Sequence, residues 1–265
     1  MKRLILAALL AAGVSGMAHA HDPLKDAIAN TARTPANAAR DAARHPYETL
    51  SFFGIKPNMT VVELSPGGGW YTEILAPYLK AEGKLIAAGP SPKSSSAYES
   101  RSGTNFQKKL EAAPALFDKV QLGWFAHPTT YDFAKPGSVD MVLTFRNIHN
   151  WTGEGDDKLK VTLKSVYDAL KPGGVFGVVD HRMPADKAVK ADSGYLHEAY
   201  VIKMVESVGF KLAAKSEVNA NPKDTADHNK GVWALPPVLA NKDVDRAKYV
   251  AIGESDRMTL KFVKP

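Results

Sequence analysis

The chain contains no cysteine in its 265 residues. Disulfides and lipid attachment at a cysteine are therefore excluded. No apolar run is long enough to cross a bilayer, because the stretch at residues 4–12 falls well short of the roughly 20 residues a spanning helix needs. No arginine-rich run appears. The 34 Lys and Arg are scattered among 28 Asp and Glu, so the formal charge of +6 does not form the basic stripe of a nucleic-acid binder. A Gly-Lys-Ser/Thr signature is missing, which removes the phosphate-binding loop of the common nucleotide hydrolases. There is no internal repeat and no low-complexity linker. One domain is expected after the leader, over residues 21–265.

The leader is what the first twenty residues do contain. Lys2 and Arg3 precede the short apolar run, and Ala18-His19-Ala20 has the small-x-small form of a cleavage site. Export to the periplasm, with a mature chain starting at His21 and no remaining membrane span, is the expectation. Removing Lys2 and Arg3 leaves 32 basic against 28 acidic residues, a mild +4.

Beyond the leader, residues 21–55 read as helical, with breaks at Pro23 and Pro35 and a stop at Gly54. Strand signals follow at residues 60–64, 84–88, 120–122, 139–144 and 175–179. Helical signals lie between and after them, at 70–79, 95–113, 156–170 and 196–208. Continuous apolar strands alternating with helices predict a mostly parallel α/β sheet covered on both faces. Two further strands fit 211–218 and 258–263, giving a Rossmann-like sheet of seven strands with the last antiparallel. The 219–257 connection is too long for a hairpin and predicts a lid or a small added subdomain.

The first strand runs into "ELSPGGGWYTEIL", a glycine turn opening a helix. Such a turn lets backbone N–H groups approach a ligand. The nicotinamide fingerprint is not met, because the residue three after Gly69 is Thr72. Three stretches, "IKPNMTVVELSPGGG", "GSVDMVLTFRNIHNW" and "ALKPGGVFGVVDHR", occur in order at domain-like spacing. Together they resemble the class I S-adenosylmethionine-dependent methyltransferases over roughly residues 40–218. "SGYLHEAYVI", "NANPKDTADHNKGVWALPP" and "IGESDRMTLKFVKP" are similar to a narrower group of exported bacterial proteins of that kind. The resemblance implies S-adenosylmethionine as cofactor. It implies Glu63 as the acid opening the first motif, and Ser65, Gly67 and Gly69 at its three glycine positions, with Gly68 between them. Ser65 departs from that pattern. The acid usual at the end of the second strand is absent, and Ser91 in Gly89-Pro90-Ser91 is the available acceptor there. At the place of the adenine-side acid, after the third strand, "WFAHPTTYD" offers His127 or Asp132.

In a parallel sheet the site lies at the carboxyl ends of the strands. That rule gathers Ser65 to Gly69, then Arg146, Asn147, His149, Asn150 and Trp151, then Asp180, His181 and Arg182. His149 is the first candidate for a base, because histidine titrates near neutral pH, and His181 is the second. Asn147 joins them as a catalytic candidate. Arg146 and Arg182 would grip a carboxylate or phosphate of a small-molecule substrate, or else pair with Asp180 or Asp140. Trp70 and Trp151 would stack on a planar ligand or pack in the core. Asn221 and His228, in the polar insertion, would supply substrate contacts if it closes as a lid. A metal held by His149, His181, His228 and Asp224 or Asp227 has no tight ligand spacing behind it, so no metal is expected. Three functions remain open: a methyltransferase acting on a small molecule, a ligand-binding protein on the same fold, and a non-methyl enzyme using the histidines.

Overall fold

A computed structural model describes residues 21–265. The leader at residues 1–20 lies outside the described residues. No described helix is long and apolar enough to cross a membrane.

Among the described residues, nine strands form the sheet. They are β1 (Thr60–Leu64), β2 (Lys84–Gly89), β3 (Gln121–Ala126), β4 (Thr130–Asp132), β5 (Val139–Phe145), β6 (Leu170–Met183), β7 (Leu196–His197), β8 (Lys211–Ser216) and β9 (Arg257–Val263). Their order is β4-β3-β2-β1-β5-β6-β9-β8, with β7 paired to the far end of β6. Pairs β1–β2, β2–β3, β1–β5 and β5–β6 are parallel, and β9 runs antiparallel to both β6 and β8. The expected α/β class and antiparallel last strand agree with this. The count of seven does not, because β4 and β7, three and two residues long, carry too little sequence pattern to be read.

The helices are α1 (Pro23–Ile28), α2 (Pro35–Ala38), α3 (Asp41–Arg44), α4 (Pro46–Phe53), α5 (Thr72–Leu79), α6 (Ala97–Ala112), α7 (Pro114–Phe117), α8 (Ile148–Trp151), α9 (Asp156–Ala169), α10 (Glu198–Glu206) and α11 (Arg246–Ile252). The strands bury both faces. Val62, Leu64 and Val142 pack toward α9 and α10, while Val61, Met141 and Leu143 pack toward α1, α4 and α5. This two-sided burial is why the strands read as unbroken apolar runs. The chain leaves β1 toward β2, β3 and β4, then crosses back to β5 on the other side. The carboxyl ends of β1 and β5 therefore flank the crevice where ligands of this architecture sit. The insertion at 219–257 has one small apolar cluster of its own, Ala234, Leu235 and Tyr249, and packs Ala226 and Val232 against Met183 and Tyr195.

Candidate functional site

The glycine turn starts in a strained backbone. Ser65 has φ +50°, in the left-handed region where glycine is favoured, and Gly67 has φ +57°. A Cβ added to Gly67 or Gly68 would meet nothing within 4 Å, so both face open space. Gly69 differs. A Cβ there would lie 2.9 Å from Lys109 Cε, so this glycine admits α6 rather than a ligand. Beside the turn is a cavity of about 240 Å³ lined by Glu63, Gly67, Trp70, Tyr71, Arg146 and Asn147, among others. Glu63 accepts a 2.6 Å bond from Thr72 Oγ1, and burial pushes its carboxyl up to about 7. Asn147 donates to Leu64 O and Thr144 Oγ1, tying β1 to β5 at the cavity wall.

A second cavity of about 410 Å³ lies next to it and shares Arg40, Arg44 and Arg146. His149, His181, Trp233 and Glu254 complete much of its wall. Here the end of β6 supplies Asp180, fully buried. Its carboxylate accepts from His149 N at 3.2 Å, from His181 N at 2.8 Å and from His149 Nδ1 at 2.7 Å. An ionised carboxylate only accepts, so His149 carries its proton on Nδ1 and leaves Nε2 as a base. His181 bonds Ser255 Oγ through Nδ1 at 2.5 Å. Burial, then the neighbouring His149 and three arginines, hold His181 well below the ordinary histidine range, so it is neutral at pH 7.

His149, Asp180 and His181 are the one group among the described residues whose ligand atoms, within 4.8 Å of one another, would share a cation. Two features oppose that use. Asp180 is already taken by three N–H donors, and Arg44, Arg146 and Arg257 bear on the same place. His228 and Asp224 are bonded to each other at 2.8 Å within the insertion and do not join the group.

Several sequence candidates fall elsewhere. Trp151 is buried in the core, 5.3 Å from the Phe125 ring. It follows His149 by two residues on α8, so the two side chains point to different faces. Arg182 is held by Asp256 and Glu217 outside both cavities, not by Asp180 or Asp140. Asn221 donates to Ile252 O and Glu254 O and so clamps the insertion. His228 serves the buried Asp224, which also accepts from Tyr195 Oη and Asp256 N. Ser91 accepts from Lys93 N in the turn after β2, where Gly103 of α6 packs against Pro90 and Ser91. Trp70 lies at the cavity wall, its Nε1 bonded to Asn37 O and its ring 4.7 Å from the Arg44 guanidinium. Arg40, Arg44, Trp233 and Glu254 were not singled out in the sequence. The spacing of Arg40 and Arg44, four apart in a helical segment, was the one available signal.

Beyond the ends of β2 and β3, where the resemblance places adenosine, the free space is about 20 Å³. Pro66, Gly89, Pro90, Phe106 and Trp124 line it, and no carboxylate does. That volume holds about one water. The amino-acid end of S-adenosylmethionine fits the glycine-turn cavity. The adenosyl end fits only if Phe106 and Gln107 on α6 withdraw.

No protein-family model matches the chain, and no curated protein matches it in sequence. Solved structures do match in shape. An S-adenosylmethionine-dependent methyltransferase from Aquifex aeolicus aligns with TM-score 0.59 at 16% identity, over 92% of this chain and 100% of its own. The [4+2]-cyclase SpnF aligns with TM-score 0.58 at 11% identity, over 92% of each chain. The mitomycin 7-O-methyltransferase MmcR aligns with TM-score 0.51 at 13% identity, over 91% of this chain and 60% of its own. The chain thus has the fold of the class I S-adenosylmethionine-dependent methyltransferases.

Proposed function

We propose that the protein is an exported S-adenosylmethionine-dependent methyltransferase acting on a small molecule in the periplasm. The carrying observation is one arrangement at the switch point of the sheet. An open glycine turn and a His149–Asp180 pair face two adjoining cavities that share Arg40, Arg44 and Arg146. Gly67, Gly68, Glu63 and Asn147 would hold the cofactor's amino-acid end, with its adenosyl end toward Gly89 and Pro90. Bound there, S-adenosylmethionine supplies an electrophilic methyl group. His149 Nε2 takes the proton from an acceptor hydroxyl in the second cavity, and Asp180 stabilises the imidazolium that results. Trp233, from the insertion, forms part of that cavity's wall.

Calorimetric titration of the mature protein with S-adenosylmethionine and S-adenosylhomocysteine tests this reading. Binding of either supports it. Asp180→Asn should then keep binding and lower turnover by roughly 10²–10⁴, the usual contribution of general acid–base catalysis. No binding of either at about millimolar concentration would overturn it. The narrow adenosyl space favours a second reading, a small-molecule-binding protein on this fold, and SpnF, named as a cyclase, illustrates that the fold does not fix the reaction.

A further inference from the structure

The walls of the two cavities carry more positive charge than their surroundings neutralise. Arg40 Nε bonds Glu254 Oε1 at 2.7 Å, and Arg44 Nε reaches Oε2 at 3.3 Å. Arg257 bonds the same carboxylate at 3.0 Å from behind. Arg146 has no side-chain hydrogen bond among the described residues. It is held at φ +65°, a strained conformation for a non-glycine residue, and so is aimed by the backbone. Three guanidinium groups therefore bond one carboxylate, and Arg146 adds a fourth positive charge within its electrostatic reach. Glu63 faces the glycine-turn cavity with a carboxyl that titrates near 7, and Asp180 is committed to the histidines.

Two more observations point to an anionic ligand. Arg44 is only 2% exposed, lines both cavities, and its Nη1 has no partner among the described residues; Arg40 Nη2 is likewise buried and unpartnered. Buried donors of this kind are uncommon without an ion or ligand to satisfy them. Burial, and next the charge of Arg146, push the Arg44 guanidinium down to about 9; burial, and next the charge of Arg257, push that of Arg146 down to about 10. Both remain charged at neutral pH. S-Adenosylmethionine does not answer this excess, because its carboxylate is outweighed by its own ammonium and sulfonium.

We propose that Arg40, Arg44 and Arg146 form a subsite for a doubly charged group on the acceptor, a phosphate monoester or a dicarboxylate. Planar guanidinium groups from two elements suit bidentate contacts to such oxygens. The group would sit where the two cavities meet, placing the rest of the acceptor between the glycine turn and His149. The role as acceptor rests on the methyltransferase reading; the anion site does not.

Calorimetry of the mature protein in a non-phosphate buffer tests the site, with sodium phosphate, sodium succinate and sodium acetate as probes. Phosphate or succinate should bind, acetate roughly tenfold more weakly or not at all, and affinity should fall as salt rises. Phosphate without succinate would assign a phosphate monoester, and the reverse a dicarboxylate. Arg146→Gln should weaken the bound dianion by roughly 10- to 100-fold, as loss of a charged hydrogen-bond partner implies, while the exposed Arg246→Gln should change nothing. If Arg146→Gln does not fold, Arg40→Gln carries the same test. Absence of binding by both dianions at about 10 mM, or an unchanged affinity in the folded arginine variant, would overturn the subsite. Dianion binding without S-adenosylmethionine binding would keep the subsite and remove the methyl-donor reading. S-Adenosylmethionine binding without dianion binding would do the reverse.

Discussion

Replacing Glu63 by Gln should make the protein more stable at pH 8 and leave it nearly unchanged at pH 4.5. Glu63 is 2% exposed on β1, and its one side-chain partner is Thr72. Burial raises its pKa from 4.5 to about 7, against the smaller opposing effect of the Thr72 bond. The folded pKa exceeds the unfolded one, so folding favours the protonated acid. That contribution is complete below 4.5 and is lost as pH rises through 7. The gap corresponds to about 3 kcal/mol at 1.36 kcal/mol for each pH unit. Gln keeps an oxygen to accept from Thr72 and cannot ionise. Urea denaturation of both proteins from pH 4.5 to 8 measures the difference, which should grow by about 3 kcal/mol across that range. A difference that stays flat would refute the buried, neutral carboxyl. The same group links stability to ligand binding. If a ligand's ammonium settles beside Glu63, binding at pH 6 should release up to one proton, visible as a buffer-dependent heat.

Other outcomes follow from the same geometry. Gly67→Ala should cost about 1 kcal/mol for its positive φ and weaken cofactor binding, and Gly69→Ala should cost a comparable amount in urea denaturation for its φ of +75°, since the Lys109 side-chain end its Cβ meets can shift. Trp151→Ala should destabilise by about 3–5 kcal/mol, the usual cost of emptying a buried tryptophan site, in thermal or urea unfolding. Gly103→Ala should lose at least about 2 kcal/mol, since a Cβ would stand 2.3 Å from Pro90 O. His181, held neutral, contributes stability above its unfolded pKa of 6.5 that is lost as pH falls below it, and His181→Gln should flatten that acid limb of the stability profile.

The parallel core was legible because its strands are apolar on both faces and bounded by glycine or proline. β4 escaped because three residues pairing with Trp124 to Ala126 leave no periodic signal. The strand signal starts only at residue 175, yet β6 begins at Leu170, where that residue pairs with Val139 before the register shifts at Met141. β7 took the first two residues of an expected helix because Leu196 and His197 extend along Arg182 and Met183. Each miss is a tertiary pairing imposed on residues with weak local preference.

The site was legible where one strand end carries its own chemistry and hidden where distant segments converge. His149, Asp180 and His181 follow from the rule about carboxyl ends, but only the fold puts Asp180 beneath the His149 ring. Trp151 and Gly69 misled for a shared reason: on a helix or in a turn, neighbouring positions face opposite sides, and sequence order does not say which side is the cavity. Arg40 and Arg44 were hidden more deeply. They come from the helical segment that precedes the sheet, and Glu254, which holds them, is 214 and 210 positions further on. Their spacing of four in "RDAARHPYE" puts the two arginines on one helical face, but nothing local says that this face meets a cavity. Their meaning rests on an arrangement that exists only in three dimensions, three arginines bonded to one carboxylate with Arg146 beside them. The ribose side reverses the case. The missing acid after β2 is visible in the sequence, and the packing of Gly103 on Pro90 gives the physical consequence: α6 lies close over the space that an acid and a ribose would otherwise share. The second-strand end thus carries no charged group for a ligand, whereas the junction of the two cavities carries Arg40, Arg44 and Arg146, which is where the proposed anion subsite is to be tested.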